Sequence, residues 1–165
     1  MGLAIALLTI SDTRSLADDA SGDHLLDQPQ AAGHHLQARS LCAVDRYRIR
    51  AEVSHWIADP AVDVVITSGG TGLTGRDGTP EAVGPLLDKT IEGFGELFRV
   101  LSFEHIGTST LQSRCLAGVA NGTFIFVLPG SLDAVSTAGD RLIRAQLDAD
   151  TRPCNLAQLR ARLRE

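Results

Sequence analysis

The stretch Val64 to Val83, VVITSGGTGLTGRDGTPEAV, constrains the chain more than any other. The apolar run Val64-Val65-Ile66 reads as a strand. It feeds Ser68-Gly69-Gly70-Thr71-Gly72, then Asp77, then a helix start with Thr79 as N-cap and Pro80 as first helical residue. Glycines without a Cβ let backbone N–H groups close on a bound phosphate, and a helix N-terminus behind them adds positive partial charge. Asp77 stands where a metal bridging phosphates would use it.

Three other readings compete with an anion loop. Gly70, Gly72 and Gly75 satisfy G-x-G-x-x-G, but in a dinucleotide fingerprint the helix opens within the glycine run and an acidic residue about twenty positions on ends the next strand. Here Arg76, Asp77 and Gly78 intervene before Thr79, and Asp88 falls within the next expected helix. A Walker loop is excluded because no Gly-Lys-Ser/Thr follows. A tight strand-to-helix turn alone needs neither an acidic residue nor so many hydroxyls.

Around this stretch the pattern alternates. Leu3 to Ile10 is a continuous apolar run, as in a strand buried on both faces of a parallel sheet. Ser11 and Asp12 leave its end, and Ser21 reads as the N-cap of a helix to about Ala32, in which Pro29 costs a hydrogen bond to Leu25. His34 to Val44 alternates as a more exposed strand, on which His34 and His35 point to opposite faces and cannot share a metal. Asp45 opens a helix through Ala58 with Ile49, Val53, Trp56 and Ile57 as its apolar stripe. Val62 to Thr67 is the third strand, and a helix from Pro80 runs to about Lys89. Phe94, Leu97, Phe98 and Leu101 recur at helical spacing with Phe103 and Ile106 beyond, a stripe wide enough to include an oligomer face. Thr108 to Arg114 reads as a capped helix start rich in hydroxyls. Thr123 to Leu128 is a last buried strand that ends in Pro129-Gly130-Ser131, and a helix then runs to about Leu147. The basic remainder, with Arg160, Arg162 and Arg164, is a frayed or packed helix.

This alternation predicts an α/β fold: a three-layer, doubly wound, mainly parallel sheet in one domain over 1–150, with a C-terminal tail over 151–165. Ligands of such sheets sit beyond the carboxyl ends of the strands. Ser11, Asp12, Asp45, the glycine loop with Asp77, and Pro129-Gly130-Ser131 should therefore share one rim. The chain has no G-x-S-x-G and no H-E-x-x-H, and the rim offers no nucleophile with a base. Carboxylates, glycine N–H donors and hydroxyls suit phosphoryl or nucleotidyl transfer, in which the substrate supplies its own nucleophile. Two carboxylates near a triphosphate call for Mg²⁺ between them.

A net charge of −5 argues against nucleic acid as a partner. The opening apolar run has no basic region ahead of it and ends at Ser11-Asp12, so it reads as neither signal peptide nor membrane span. Cys42, Cys115 and Cys154 form no C-x-x-C pair, which fits a reducing cytoplasm and no zinc site.

SGGTG followed by DGTPEA resembles the molybdopterin-binding signature of the molybdenum cofactor biosynthesis family, which includes MoaB and MogA. Gly93 to Ser131 and the tail motif Thr151 to Asn155 are most similar to its MoaB branch, and the likeness spans nearly the whole chain. The resemblance implies Mg-ATP-dependent adenylylation: AMP joins the terminal phosphate of molybdopterin and pyrophosphate is released. It implies Asp77 as the principal metal-linked catalytic residue and Asp45 as its partner. Ser68, Gly69, Gly70, Thr71, Gly72 and Thr79 would hold phosphate. Ser109, Pro129, Gly130, Ser131, Ser11, Asp12 and Ser21, the last within the family's Asp-x-Ser-Gly, would hold pterin or nucleotide. It further implies a homo-oligomer, trimer or hexamer, and a downstream metal-insertion protein. The alternatives are a molybdopterin-binding carrier without catalysis and an unrelated nucleotide-binding α/β domain.

Overall fold

A run of apolar side chains broken only by Thr9 leaves no face for solvent, and β1 (Ala4–Ile10) is buried along its whole length. The computed structural model describes residues 2–165. β1 lies between β2 (His35–Cys42) and β3 (Val64–Ser68), and β3 in turn pairs with β6 (Thr123–Leu128), all in parallel. With β4 (Lys89–Thr90) and β5 (Leu116–Ala120), the six-stranded sheet has the order β2-β1-β3-β6-β5-β4. As expected, β2 is an exposed edge.

Side chains alternate across this sheet and divide the core in two. Leu7, Ile66 and Phe126 stand in one row and face α1 (Ala20–Ala31), α4 (Glu92–Ile106) and the helix that begins as α5 (Leu132–Ala138). The next row, Leu8, Thr67 and Val127, faces α2 (Arg46–Ala58) and α3 (Thr79–Val83). Phe94 meets Phe126 edge-on, with ring centroids 5.3 Å apart. The helix begun by α5 passes through a π-helical turn at Gly139–Ile143 and ends as α6 (Arg144–Leu147), close to its expected end. The expected three-layer α/β architecture is present, with one departure in the sheet.

That departure is an antiparallel flank. β5 (Leu116–Ala120) runs against β6, and β4 (Lys89–Thr90) runs against β5, where the sequence reading placed no strands. The hairpin between β5 and β6 turns at Asn121 (φ 47°) and Gly122 (φ 78°), the pair of left-handed residues that a two-residue hairpin turn demands. Two helix expectations fail beside it. The helix predicted from Pro80 to Lys89 ends at Val83 and continues only as a 3₁₀ turn at Gly84–Leu86, because Pro85 lacks the N–H that would extend it. Thr108–Arg114 starts no new helix. A 3₁₀ segment, Gly107–Gln112, closes α4 and leads into β5.

The tail is anchored rather than frayed. Asn155 caps the short α7 (Leu156–Leu159), and Arg160 Nε donates to Asp63 Oδ1 at 2.5 Å. Asp63 also accepts from the Ala4 N–H at 2.9 Å, so the tail is tied to the start of β1. On α4 the apolar stripe splits. Phe94 and Phe98 are buried, whereas Leu97, Val100, Phe103 and Ile106 are exposed. No helix among the described residues is long and apolar enough to cross a membrane.

Two substitutions test this architecture in urea titrations. Phe126→Ala, at the centre of the larger core, should lower the unfolding free energy by about 3–5 kcal/mol. Gly122→Ala should cost about 1–2 kcal/mol through its positive φ, with an unchanged denaturant slope.

Candidate functional site

Strand register brings the candidate residues together. Thr9 on β1 lies level with Ser68 on β3, and Ser68 lies level with Leu128 on β6. All three strands therefore release their connectors at one rim. There the backbones close on one another. Gly69 (φ 111°) and Gly70 (φ 67°) are left-handed; a Cβ on the first would overlap the Ile10 carbonyl oxygen, and one on the second the Thr79 hydroxyl. Gly130 comes from the other side, where an added Cβ would sit 3.2 Å from Gly69 Cα. Gly69 N donates to Leu128 O at 3.0 Å, which ties the β3 loop to the β6 loop.

Three carboxylates from three strand ends stand around this loop. Asp12 accepts from Val44 N at 3.0 Å through Oδ1 and pairs with Arg76 through Oδ2, so it connects the ends of β1 and β2 to the glycine loop. Asp77 Oδ2 accepts from Thr74 Oγ1 at 2.6 Å and Thr74 N at 3.0 Å. The Thr74 hydroxyl, with the Thr74 and Gly72 N–H groups and the Arg114 charge behind it, holds the Asp77 carboxyl below the usual range. Asp45 caps α2, accepting from Tyr47 N at 3.0 Å and Arg48 N at 2.8 Å through Oδ1. Asp45 and Asp77 line one open cleft of about 410 Å³ together with Arg46, Tyr47 and Arg76.

The pair fits a magnesium ion in a limited way. Capping uses Asp45 Oδ1 and the Thr74 turn uses Asp77 Oδ2, which leaves the other oxygen of each for a ligand. No group of three or more His, Cys, Asp or Glu side chains able to hold a metal occurs among the described residues. Mg²⁺ accepts such a site, since it binds through one or two carboxylates and completes its shell with phosphate oxygens and water.

Most of the expected hydroxyls shape the rim instead of opening onto it. Thr79 is not the N-cap of α3, a place taken by Gly78; its hydroxyl donates to Gly69 O at 2.8 Å while its N–H donates to Gly70 O at 3.0 Å. Ser21 is not the cap of α1, which is Asp19, and donates to Gly130 O at 3.0 Å. Ser131 caps α5 through Ala134 N at 3.2 Å, and Ser11 Oγ accepts from Thr13 N and Arg14 N. Ser68 reaches Pro129 O at 3.5 Å, Thr71 is buried, and Ser109 is exposed in the 3₁₀ segment that precedes Arg114. α3 has only five residues, so the positive helix end expected behind the loop is weak.

Sequence reasoning gave no role to the arginines that hold this rim. Arg14 donates to Gly130 O at 3.1 Å and lies 3.9 Å from the fully buried Asp19, which also accepts from Thr9 Oγ1 and from Arg39 at 3.2 Å. Arg114 pairs with Glu81 and donates to the carbonyls of Thr71 and Gly72. Arg114 ends the hydroxyl-rich run Thr108 to Ser113, which was the only signal pointing to it.

Residues 6–149 match a family described as a probable molybdopterin binding domain. The chain is 58% identical over 151 residues to molybdenum cofactor biosynthesis protein B of Escherichia coli K12, covering 92% of this chain and 89% of that protein. A crystal structure of a molybdenum cofactor biosynthesis protein B superposes with a TM-score of 0.86 at 41% identity, covering 89% and 92% of the two chains. The tungsten cofactor synthesizing protein MoaB from Pyrococcus furiosus superposes with a TM-score of 0.83 at 28% identity, covering 99% and 98%.

Gly69→Ala should leave the sheet intact but lower stability by roughly 1–3 kcal/mol, as measured by urea unfolding, because its backbone must leave the left-handed region or displace Ile10. Acid should act on Glu81. The Arg114 hydrogen bond depresses its carboxyl, so its contribution is present above the ordinary carboxyl range and is lost as pH falls through the depressed value. Between roughly pH 5 and pH 3, Glu81→Gln should lose less stability than the wild type in parallel thermal melts.

Proposed function

The chain belongs to the molybdopterin-binding family of molybdenum cofactor biosynthesis proteins, and from that membership we propose that it adenylylates molybdopterin with Mg-ATP. The observation that carries this reading is the shared cleft of Asp77 and Asp45, with one carboxylate oxygen of each not used by the fold and Asp77 standing against Gly72 of the glycine loop. In the reaction an oxygen of the molybdopterin terminal phosphate forms a bond to the α-phosphorus of ATP. The bond from that phosphorus to the bridging oxygen breaks, and pyrophosphate leaves with the electron pair.

The chain's own part is positioning and charge. The glycine loop presents N–H donors to phosphate oxygens, and Gly69 and Gly70 let the backbone come that close. Asp77 and Asp45 would hold Mg²⁺, whose charge offsets the phosphates and the negative charge that develops as pyrophosphate leaves. Asp77 stays ionised throughout the neutral range because its carboxyl is held low. Arg46 and Arg76 line the same cleft and lower the cost of crowding anionic substrates against a chain of net charge −5.

A second reading, molybdopterin binding without transfer, draws on Asp45. Its side chain already holds two backbone N–H groups as the cap of α2, a structural role that accounts for it without a metal. A homo-oligomer in the cytoplasm, trimer or hexamer, is the expected assembly. The exposed Leu97, Val100 and Phe103 on α4 support it, and light scattering at micromolar concentration would return a monomer if that face is free.

With ATP labelled at the α-phosphate, molybdopterin and Mg²⁺, the wild type should move label to the pterin, and Asp77→Asn should lower the rate roughly 100-fold or more. Transfer at full rate by the variant would remove Asp77 from the centre. Intact pterin binding with no transfer by the wild type would select the carrier reading.

A further inference from the structure

Arg114 reaches the glycine loop at the start of β5, from the side of the antiparallel flank. Its Nε donates to Thr71 O at 3.2 Å and to Gly72 O at 3.0 Å, and its Nη2 donates to Gly72 O at 2.6 Å. Its remaining Nη1 pairs with Glu81 on α3, so the guanidinium is held from two directions.

In a trans peptide the C=O and the following N–H point to opposite sides. Two carbonyls drawn toward Arg114 therefore turn the N–H groups of Gly72 and Leu73 the other way. Asp77 stands against the same residue: a Cβ on Gly72 would lie 2.6 Å from Asp77 Oδ2. We propose that Arg114 is a positioning residue which, braced by Glu81, holds the Thr71 and Gly72 carbonyls away from the cleft, so that the Gly72 and Leu73 N–H groups serve as donors to a phosphate. The inference rests on the glycine loop being the anion site.

The alternative loop conformation shows why such a device is needed. With the guanidinium gone, either peptide can rotate, since Gly72 accepts most backbone angles. A carbonyl oxygen would then face the phosphate and repel it. Lysine restores the charge but not the planar fork that grips two carbonyls while pairing with a carboxylate. Charge and geometry can therefore be separated by one substitution.

The experiment titrates the full-length, ¹⁵N-labelled chain with inorganic pyrophosphate and Mg²⁺ and follows the Gly72 and Leu73 amide resonances. The wild type, Arg114→Lys, Arg114→Met and Glu81→Gln are compared, with unchanged spectra of the β1, β3 and β6 amides as the folding control. In the wild type both amides should shift on binding. In Arg114→Met the dissociation constant should rise about tenfold or more, and both amide shifts should be lost. Arg114→Lys should fall close to Arg114→Met, and Glu81→Gln should give an intermediate loss. If Arg114→Met does not fold, Arg114→Lys carries the test alone. Wild-type binding and amide shifts in Arg114→Lys would overturn the positioning role and leave the loop as an anion site. Silent Gly72 and Leu73 amides in the wild type would overturn the loop reading itself. Normal amide behaviour with no adenylyl transfer would count against the enzyme reading while supporting Arg114.

Discussion

The whole rim depends on one close approach. Gly69 passes so near the end of β1 that the Ile10 carbonyl oxygen occupies the place a Cβ would need, and Gly130 packs against the same residue from β6. Three strand ends can share one small volume only because these positions carry no side chain. The register of the central strands then matters for chemistry as well as for packing. Because Thr9, Ser68 and Leu128 are level, the connectors that follow them start at one height, and Asp12, Asp77 and Ser131 all lie in connectors that leave the same edge of the sheet.

A second constraint follows from the polarity of the backbone. Each loop residue brings a carbonyl as well as an N–H, and an anion site must dispose of the former. Here the carbonyls are engaged one by one. Gly69 O takes the Thr79 hydroxyl and Gly70 O the Thr79 N–H; Thr71 O and Gly72 O take Arg114; Gly130 O takes Ser21 and Arg14. Hydroxyls that resemble ligand-binding groups in the sequence, and the arginines beside them, thus engage the loop's own carbonyls. They set which face of each peptide remains available.

This accounts for what could be read from the sequence and what could not. β1, α2 and β6 were legible because their signals are local: an apolar run broken only by Thr9, an aspartate before a helical stripe, a run ending in Pro-Gly. The Asn121-Gly122 pair was an equally local hairpin signal, but the short, glycine-containing β5 beside it did not read as a strand, and the antiparallel flank was lost. Ser21 and Thr79 failed for another reason. Both are good caps by type, yet tertiary partners more than 100 and 10 residues away respectively took their hydroxyls. Arg114 acts on residues 42 and 43 positions away, and no local pattern encodes that.

Charge explains why the arrangement is confined to so few residues. A chain of net charge −5 that gathers Asp45 and Asp77 at one cleft, with Asp12 paired to its Arg76, would repel a polyphosphate. Asp12 is paired with Arg76 and Asp45 is hydrogen-bonded to the start of α2, so each carries part of its charge into the fold. Asp77, like Asp45, is held by neutral donors, here a threonine hydroxyl and a backbone N–H, which favour its ionised form without pairing it with a cation. Under the proposed function, a carboxylate held charged in this way, beside donors turned outward by Arg114, would repel a bare phosphate and accept one that arrives with a divalent cation. The geometry that disfavours the free anion would then select its metal complex.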